Sequence, residues 1–122
     1  MEIKIKVGKV ELSAELFDNM TANAIYDLLP IEGFNNVWGD EFYFEIPLYM
    51  PPDASSTCDV NAGDIAYWPP GKAIAIFFGP TPLSKDKKPV PASDVIPIGR
   101  IKGDAALLRQ AKGDNPILVE KA

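Results

Sequence analysis

Ile3, Ile5 and Val7 alternate with Glu2, Lys4 and Lys6, the period of two that belongs to a half-buried strand. Gly8-Lys9 follows, a two-residue Gly-X loop of the kind that a type II′ hairpin turn takes. Val10, Leu12, Ala14 and Leu16 then resume the alternation. In a two-residue hairpin Val7 stands opposite Val10, so both apolar sets fall on one face. The chain therefore begins as an antiparallel hairpin.

The rest of the sequence continues in short pieces. Thr21 is the expected N-cap of a helix whose Ile25, Leu28 and Leu29 recur at helical spacing and which Pro30 ends; such a helix plugs one end of a sheet. Residues 31–38 and 41–49 read as strands with Gly39-Asp40 as the turn between them. An irregular stretch from Pro51 to Asn61 holds Cys58, and a strand over 65–68 follows. Pro69-Pro70-Gly71 is a compact turn before an apolar run over 73–78. From Gly79 to Pro97 the chain is rich in proline and carries Lys85-Asp86-Lys87-Lys88, a stiffened surface loop of the sort that often bears function. A strand over 98–101 precedes a helix expected from N-cap Asp104 to C-cap Gly113, and 117–119 closes the series. No βαβ alternation and no repeat is present. The expected architecture is all-β: a single domain over 1–122, a closed barrel of about eight mainly antiparallel strands with two short capping helices.

Composition narrows the chemistry. With 122 residues, 47% of them hydrophobic and 24% charged, the chain is long enough for one real core. It has no histidine, which excludes Ser-His-Asp and Cys-His catalysis and any His-ligated metal. A single cysteine, Cys58, makes neither an internal disulfide nor a zinc or iron–sulfur site, so neither metal nor cofactor is expected, and a reducing, cytoplasmic setting is. The net charge of −5 repels a nucleic-acid backbone, and no segment reads as a signal peptide or membrane span.

The aromatic residues gather in two clusters: Trp38, Phe42, Tyr43, Phe44 and Tyr49, then Tyr67, Trp68, Phe77 and Phe78. Aromatics in strands are usually core. Here, however, Trp38-Gly39, Trp68-Pro69 and Phe78-Gly79 stand at strand ends beside turn residues, which favours a groove at a rim. Glu41 and Glu45 flank the aromatic strand, a carboxylate pair of the type that does acid–base work, while Asp40 and Asp64, each after a glycine, read as turn residues. Arg109 reads as a helix surface residue. Arg100 lies within an apolar strand and needs a partner if its head is buried.

Two stretches resemble a known family. Phe42-Tyr43-Phe44-Glu45-Ile46-Pro47-Leu48-Tyr49-Met50 is similar to the cyclophilin strand patterned Phe-His-Arg-Val-Ile-Pro-x-Phe-Met, and the segment from Asp64 to Thr81 resembles the later cyclophilin segment that closes on a Phe-Phe pair. Asn36-Val37-Trp38-Gly39-Asp40-Glu41, the run from Gly63 to Gly71 and Phe77-Phe78-Gly79-Pro80-Thr81-Pro82 resemble small cyclophilin-like proteins of prokaryotes. The resemblance implies a closed barrel with helices at its ends. It also implies that Tyr49, Met50 and Phe78 stand where cyclophilins hold a prolyl ring. The catalytic arginine of cyclophilins aligns with Phe44 and the neighbouring histidine with Tyr43. Prolyl isomerisation has a barrier of about 18–20 kcal/mol from amide resonance, and phenylalanine offers no donor to lower it. Three readings follow. The first is a binding module whose groove of Trp38, Glu41, Tyr49, Met50, Tyr67, Trp68 and Phe78 holds a peptide or small apolar ligand. The second is a prolyl isomerase with a relocated donor, Arg100 or the Trp68 indole. The third is an assembly domain that pairs with a second copy through its aromatics.

Overall fold

The computed structural model describes residues 1–122. The opening hairpin is present as read: β1 (Glu2–Val7) and β2 (Val10–Leu16) pair antiparallel with Val7 opposite Val10. Of the two loop residues only Gly8 has positive φ, at 56°, as a type II′ turn requires. Helix α1 (Met20–Leu28) follows and sets Ala22 and Ile25 into the core over β2. Its N-cap is Asn19 rather than Thr21. The Asn19 Oδ1 accepts the Ala22 N–H at 2.8 Å, while its amide donates to the Pro97 carbonyl at 3.0 Å, and Thr21 is buried in the first turn.

Residues 31–38 are not one strand. They form β3 (Ile31–Gly33) and β4 (Asn36–Val37), which lie at opposite edges of the sheet. Phe34 points outward and is 71% exposed, whereas Asn35 is buried. The backbone of Asn35 is claimed by the side chain of Asn115, whose Oδ1 accepts the Asn35 N–H and whose amide donates to the Asn35 carbonyl at 3.3 Å. A backbone held by a side chain cannot also pair in a ladder, and the strand breaks there. Next, β5 (Glu41–Glu45) stops well before Tyr49, followed by β6 (Asp64–Trp68), a 3₁₀ turn at Pro69–Gly71, β7 (Ala73–Phe77) and β8 (Ile96–Ile101). The second helix, Ala105–Ala111, is 3₁₀; it is capped by Asp104 as expected and ends at Lys112, one residue before Gly113. Strand β9 (Ile117–Lys121) closes the order.

All nine strands join one antiparallel sheet in the order β3-β9-β1-β2-β8-β6-β7-β5-β4. The sheet curls into an open half-barrel of nine strands, not the closed barrel of about eight expected from the pattern. Its two edges are the halves of the broken segment, and no ladder joins them. Inside the curl lies the main core, including Ile3, Ile5, Leu16, Ile25, Phe42, Phe44, Tyr67, Phe78 and Ile98. A second, smaller cluster of Val60, Ala66, Ala75, Phe77 and Val95 lies on the outer face of β6 and β7. Strand β7 is therefore buried on both faces, which is why its sequence is an unbroken apolar run.

Candidate functional site

The outer face of β5, β6 and β7 carries the candidate site. Alternation along β5 sends Phe42 and Phe44 inward and leaves Glu41, Tyr43 and Glu45 outside. Tyr43 pairs with Ala75 of β7, and Ala75 in turn pairs with Ala66 of β6. Trp68 pairs with Ala73. Alanines thus occupy the middle of this face, and the large rings stand around them. The Tyr43 and Trp68 rings meet near a right angle, with centroids 6.4 Å apart. Across the sheet, the loop between β7 and β8 folds back, fixed by the pairing of Val95 with Thr57 and by the Thr81 hydroxyl donating to the Val90 carbonyl. The result is a cavity of about 210 Å³ lined by Trp38, Glu41, Tyr43, Trp68, Pro91, Ala92 and Val95.

Its walls are held in place. The Trp68 indole N–H donates to the Ser93 hydroxyl at 2.7 Å. Behind the ring is Gly71, where a Cβ would come within 2.6 Å of two ring carbons, so only glycine lets the turn lie so close to the indole. The Gly39-Asp40 turn that carries Trp38 and Glu41 is anchored to the 3₁₀ helix. Asp40 accepts from Arg109 at 2.7 Å and pairs with Lys112 at 2.6 Å. Burial pushes the Asp40 carboxyl up, but Lys112 and Arg109 outweigh it and hold the group below the ordinary aspartate range. Asp40 is thus more than a turn residue, and Arg109 more than a surface one.

Glu41 is the opposite case. It is 7% exposed, its Oε1 has no hydrogen-bond partner, and no cation stands beside it. Burial alone pushes its carboxyl up to about 8. Buried polar groups almost always have partners, so an orphaned carboxyl aimed at a cavity is a mark of function.

Of the residues singled out in the sequence, Trp38, Glu41 and Trp68 come together at this cavity. Tyr67 and Phe78 instead fill the main core, Phe78 edge-on to Phe42 with centroids 4.7 Å apart. Tyr49 is 58% exposed and Met50 half-buried, in the irregular segment after β5. The Tyr67 hydroxyl ties that segment down, donating to the Leu48 carbonyl at 2.6 Å and accepting the Met50 N–H at 3.1 Å. Tyr67→Phe removes both bonds and strands two backbone groups, so urea denaturation should show a loss of about 1–2 kcal/mol. Arg100 projects from β8 into a separate cleft, paired with Asp64 and in company with Lys87, Phe78 and Arg109. Cys58 is exposed and donates to Asp94. Tyr43, which the sequence places in the first aromatic cluster but not in the groove, also lines the cavity. Pro91, Ala92 and Val95 escape the sequence reading, because their place depends on how a long loop folds back.

No three His, Cys, Asp or Glu side chains converge as a metal-ligand set, and no helix is long and apolar enough to cross a membrane. The chain is similar to known proteins over its whole length. A family model described as Cyclophilin-like matches residues 1–120. A hypothetical protein from Archaeoglobus fulgidus, known from its solution structure, is similar at 40% identity with a TM-score of 0.83, over 100% of this chain and 95% of that one. McbB, solved in complex with tryptophan, is similar at 17% identity with a TM-score of 0.70, over 98% of this chain but 44% of McbB, and that likeness is one of fold. Among curated proteins none matches the sequence. With a family match that leaves out only the last two residues and a relative 40% identical along the whole chain, the chain belongs to the cyclophilin-like family.

Proposed function

We propose that the protein is a binding module without isomerase activity, and that the cavity on the outer face of β5–β7 receives its ligand. The observation that carries this reading is the pairing of a rigid aromatic wall with a buried carboxyl that no protein group satisfies. A preformed pocket of this kind loses little entropy on binding. Its volume of about 210 Å³ is below that of drug-sized sites and suits one small molecule or one side chain. The isomerase reading draws no support from the donors on offer. Phe44 stands where the cyclophilin arginine aligns and is fully buried. Arg100 is held by Asp64 in a different cleft, and the Trp68 indole N–H is already bonded to Ser93.

A fragment set of neutral, cationic and anionic compounds, followed by two-dimensional NMR on labelled protein, tests the reading. Hits should shift the two indole signals of Trp38 and Trp68 and the backbone signals of Glu41 and Tyr43. Ala92→Phe, which places a ring at the exposed mouth of the cavity, should abolish those shifts. Exchange spectroscopy with an X-Pro peptide should show no cis–trans cross-peaks beyond the uncatalysed rate, whose time constant is tens to hundreds of seconds. Hits that map to Arg100, or exchange cross-peaks lost in Arg100→Ala, would overturn the proposal.

A further inference from the structure

We infer that the cavity selects an alkylammonium group, seated among Trp38, Tyr43 and Trp68 with its positive charge against Glu41. This rests on the reading of the cavity as the binding site and names the class of ligand it takes.

Four observations converge. Glu41 is buried and has an oxygen without a donor, and a buried carboxylate is stable only with a partner of opposite charge or several N–H bonds. The protein supplies neither. Arg109 and Lys112 are committed to the adjacent Asp40, and Asp40 and Arg109 line the Arg100 cleft and not this cavity. In the free protein a proton neutralises the carboxyl, and a ligand that brings a positive charge into the cavity takes that proton's place.

The walls are of the right type. Trp and Tyr rings attract a cation through their quadrupoles, most strongly where water is excluded, and aromatic cages around quaternary ammonium groups use this. Two of the walls meet near a right angle, so a ligand in the corner touches both. No lysine of the protein occupies the cage. The two lysines that do lie over rings are Lys112 at Phe78 and Lys121 at Tyr26, both elsewhere.

Size and charge agree. A space of about 210 Å³ equals about seven water molecules at liquid density, which is enough for a trimethylammonium head and a short chain. A chain with a net charge of −5 also disfavours anionic ligands and raises the local concentration of cations.

The test is calorimetric titration with choline and with its uncharged carbon isostere, 3,3-dimethylbutan-1-ol, at about pH 9, where Glu41 is ionised. The two probes have the same shape and differ in charge. Choline should bind at least about tenfold more tightly, and Glu41→Gln should bring the two affinities together. Ala92→Phe should block both. Equal affinities for the two probes, or a preference that survives Glu41→Gln, would overturn the inference. A lysine-containing peptide run beside choline separates the sources of such a group: tighter binding of the peptide assigns the site to a protein side chain, and tighter binding of choline to a free amine. If neutral fragments bind at the cavity and neither amine does, the inference alone fails. If nothing binds there, the binding reading fails with it.

Discussion

Glu41→Gln should stabilise the protein by about 5 kcal/mol at about pH 9 and by almost nothing at about pH 4. The folded protein holds the Glu41 carboxyl at about 8 because burial penalises its charged form, whereas in the unfolded chain it titrates at about 4.3. Between those values the folded state binds the extra proton, so wild-type stability falls as pH rises through that window and levels off above it. Glutamine has nearly the same shape and no proton to lose, and the variant is free of this penalty. Asp40 acts in the other direction: its lowered carboxyl contributes stability that disappears as pH falls into the acid range. Both proteins share Asp40, so it cancels in the difference. Urea denaturation of the two proteins across a pH series measures the effect directly. Parallel stability profiles would mean that Glu41 is solvated or paired in solution, and the cavity would lose its distinguishing feature.

The second large effect is expected at the seam of the sheet. Strand β8 joins the half built from β3, β9, β1 and β2 to the half built from β6, β7, β5 and β4. On its β2 side the register pairs Ala14, Glu15 and Leu16 with Ile101, Arg100 and Gly99, flanked by the Phe17 N–H donating to the Ile98 carbonyl at 2.8 Å and the Lys102 N–H donating to the Ser13 carbonyl at 2.9 Å. At Gly99 a Cβ would collide with the backbone carbonyl of Glu15 and lie 3.2 Å from the Leu16 Cα. Backbone atoms on both sides leave no flexible side chain to give way, since Gly99 also pairs with Ile65 of β6. Gly99→Ala must therefore part β8 from β2, at a cost of about 3 kcal/mol. Thermal unfolding should show it as a marked drop in Tm, with early loss of amide protection in β2 and β8. A variant with unchanged stability would show that the seam is looser than the register implies.

The parts of this fold that were legible in the sequence are those where two local signals agree. In the first hairpin, alternation and turn chemistry point the same way, and the register follows. The second helix was found through Asp104, although its 3₁₀ form was not, since spacing over seven residues hardly separates the two helix types. The break at Phe34–Asn35 was not legible, because its cause is Asn115, 80 residues away. That contact stands where the expected single strand divides into the two edges of the sheet. The same limit governs the site. Trp38 and Trp68 drew notice as rings beside turn residues, and Glu41 as the carboxylate next to them. Parity along β6 separates Tyr67, which faces inward, from Trp68, which faces outward, but only once the strand's register is known. Pro91, Ala92 and Val95 carry no local mark at all, because their place in the wall is set by long-range bonds such as the Thr57–Val95 pairing.

An open sheet has two rims of unpaired N–H and C=O groups, and such rims invite pairing with another chain. In this protein the rims are β3 and β4, three and two residues long. Neither is long enough to template a foreign strand, and each turns away from the ladder at Asn35 or at the Gly39 turn. The break that leaves the half-barrel open also shortens both rims, so the fold resists edge-to-edge aggregation without having to close on itself.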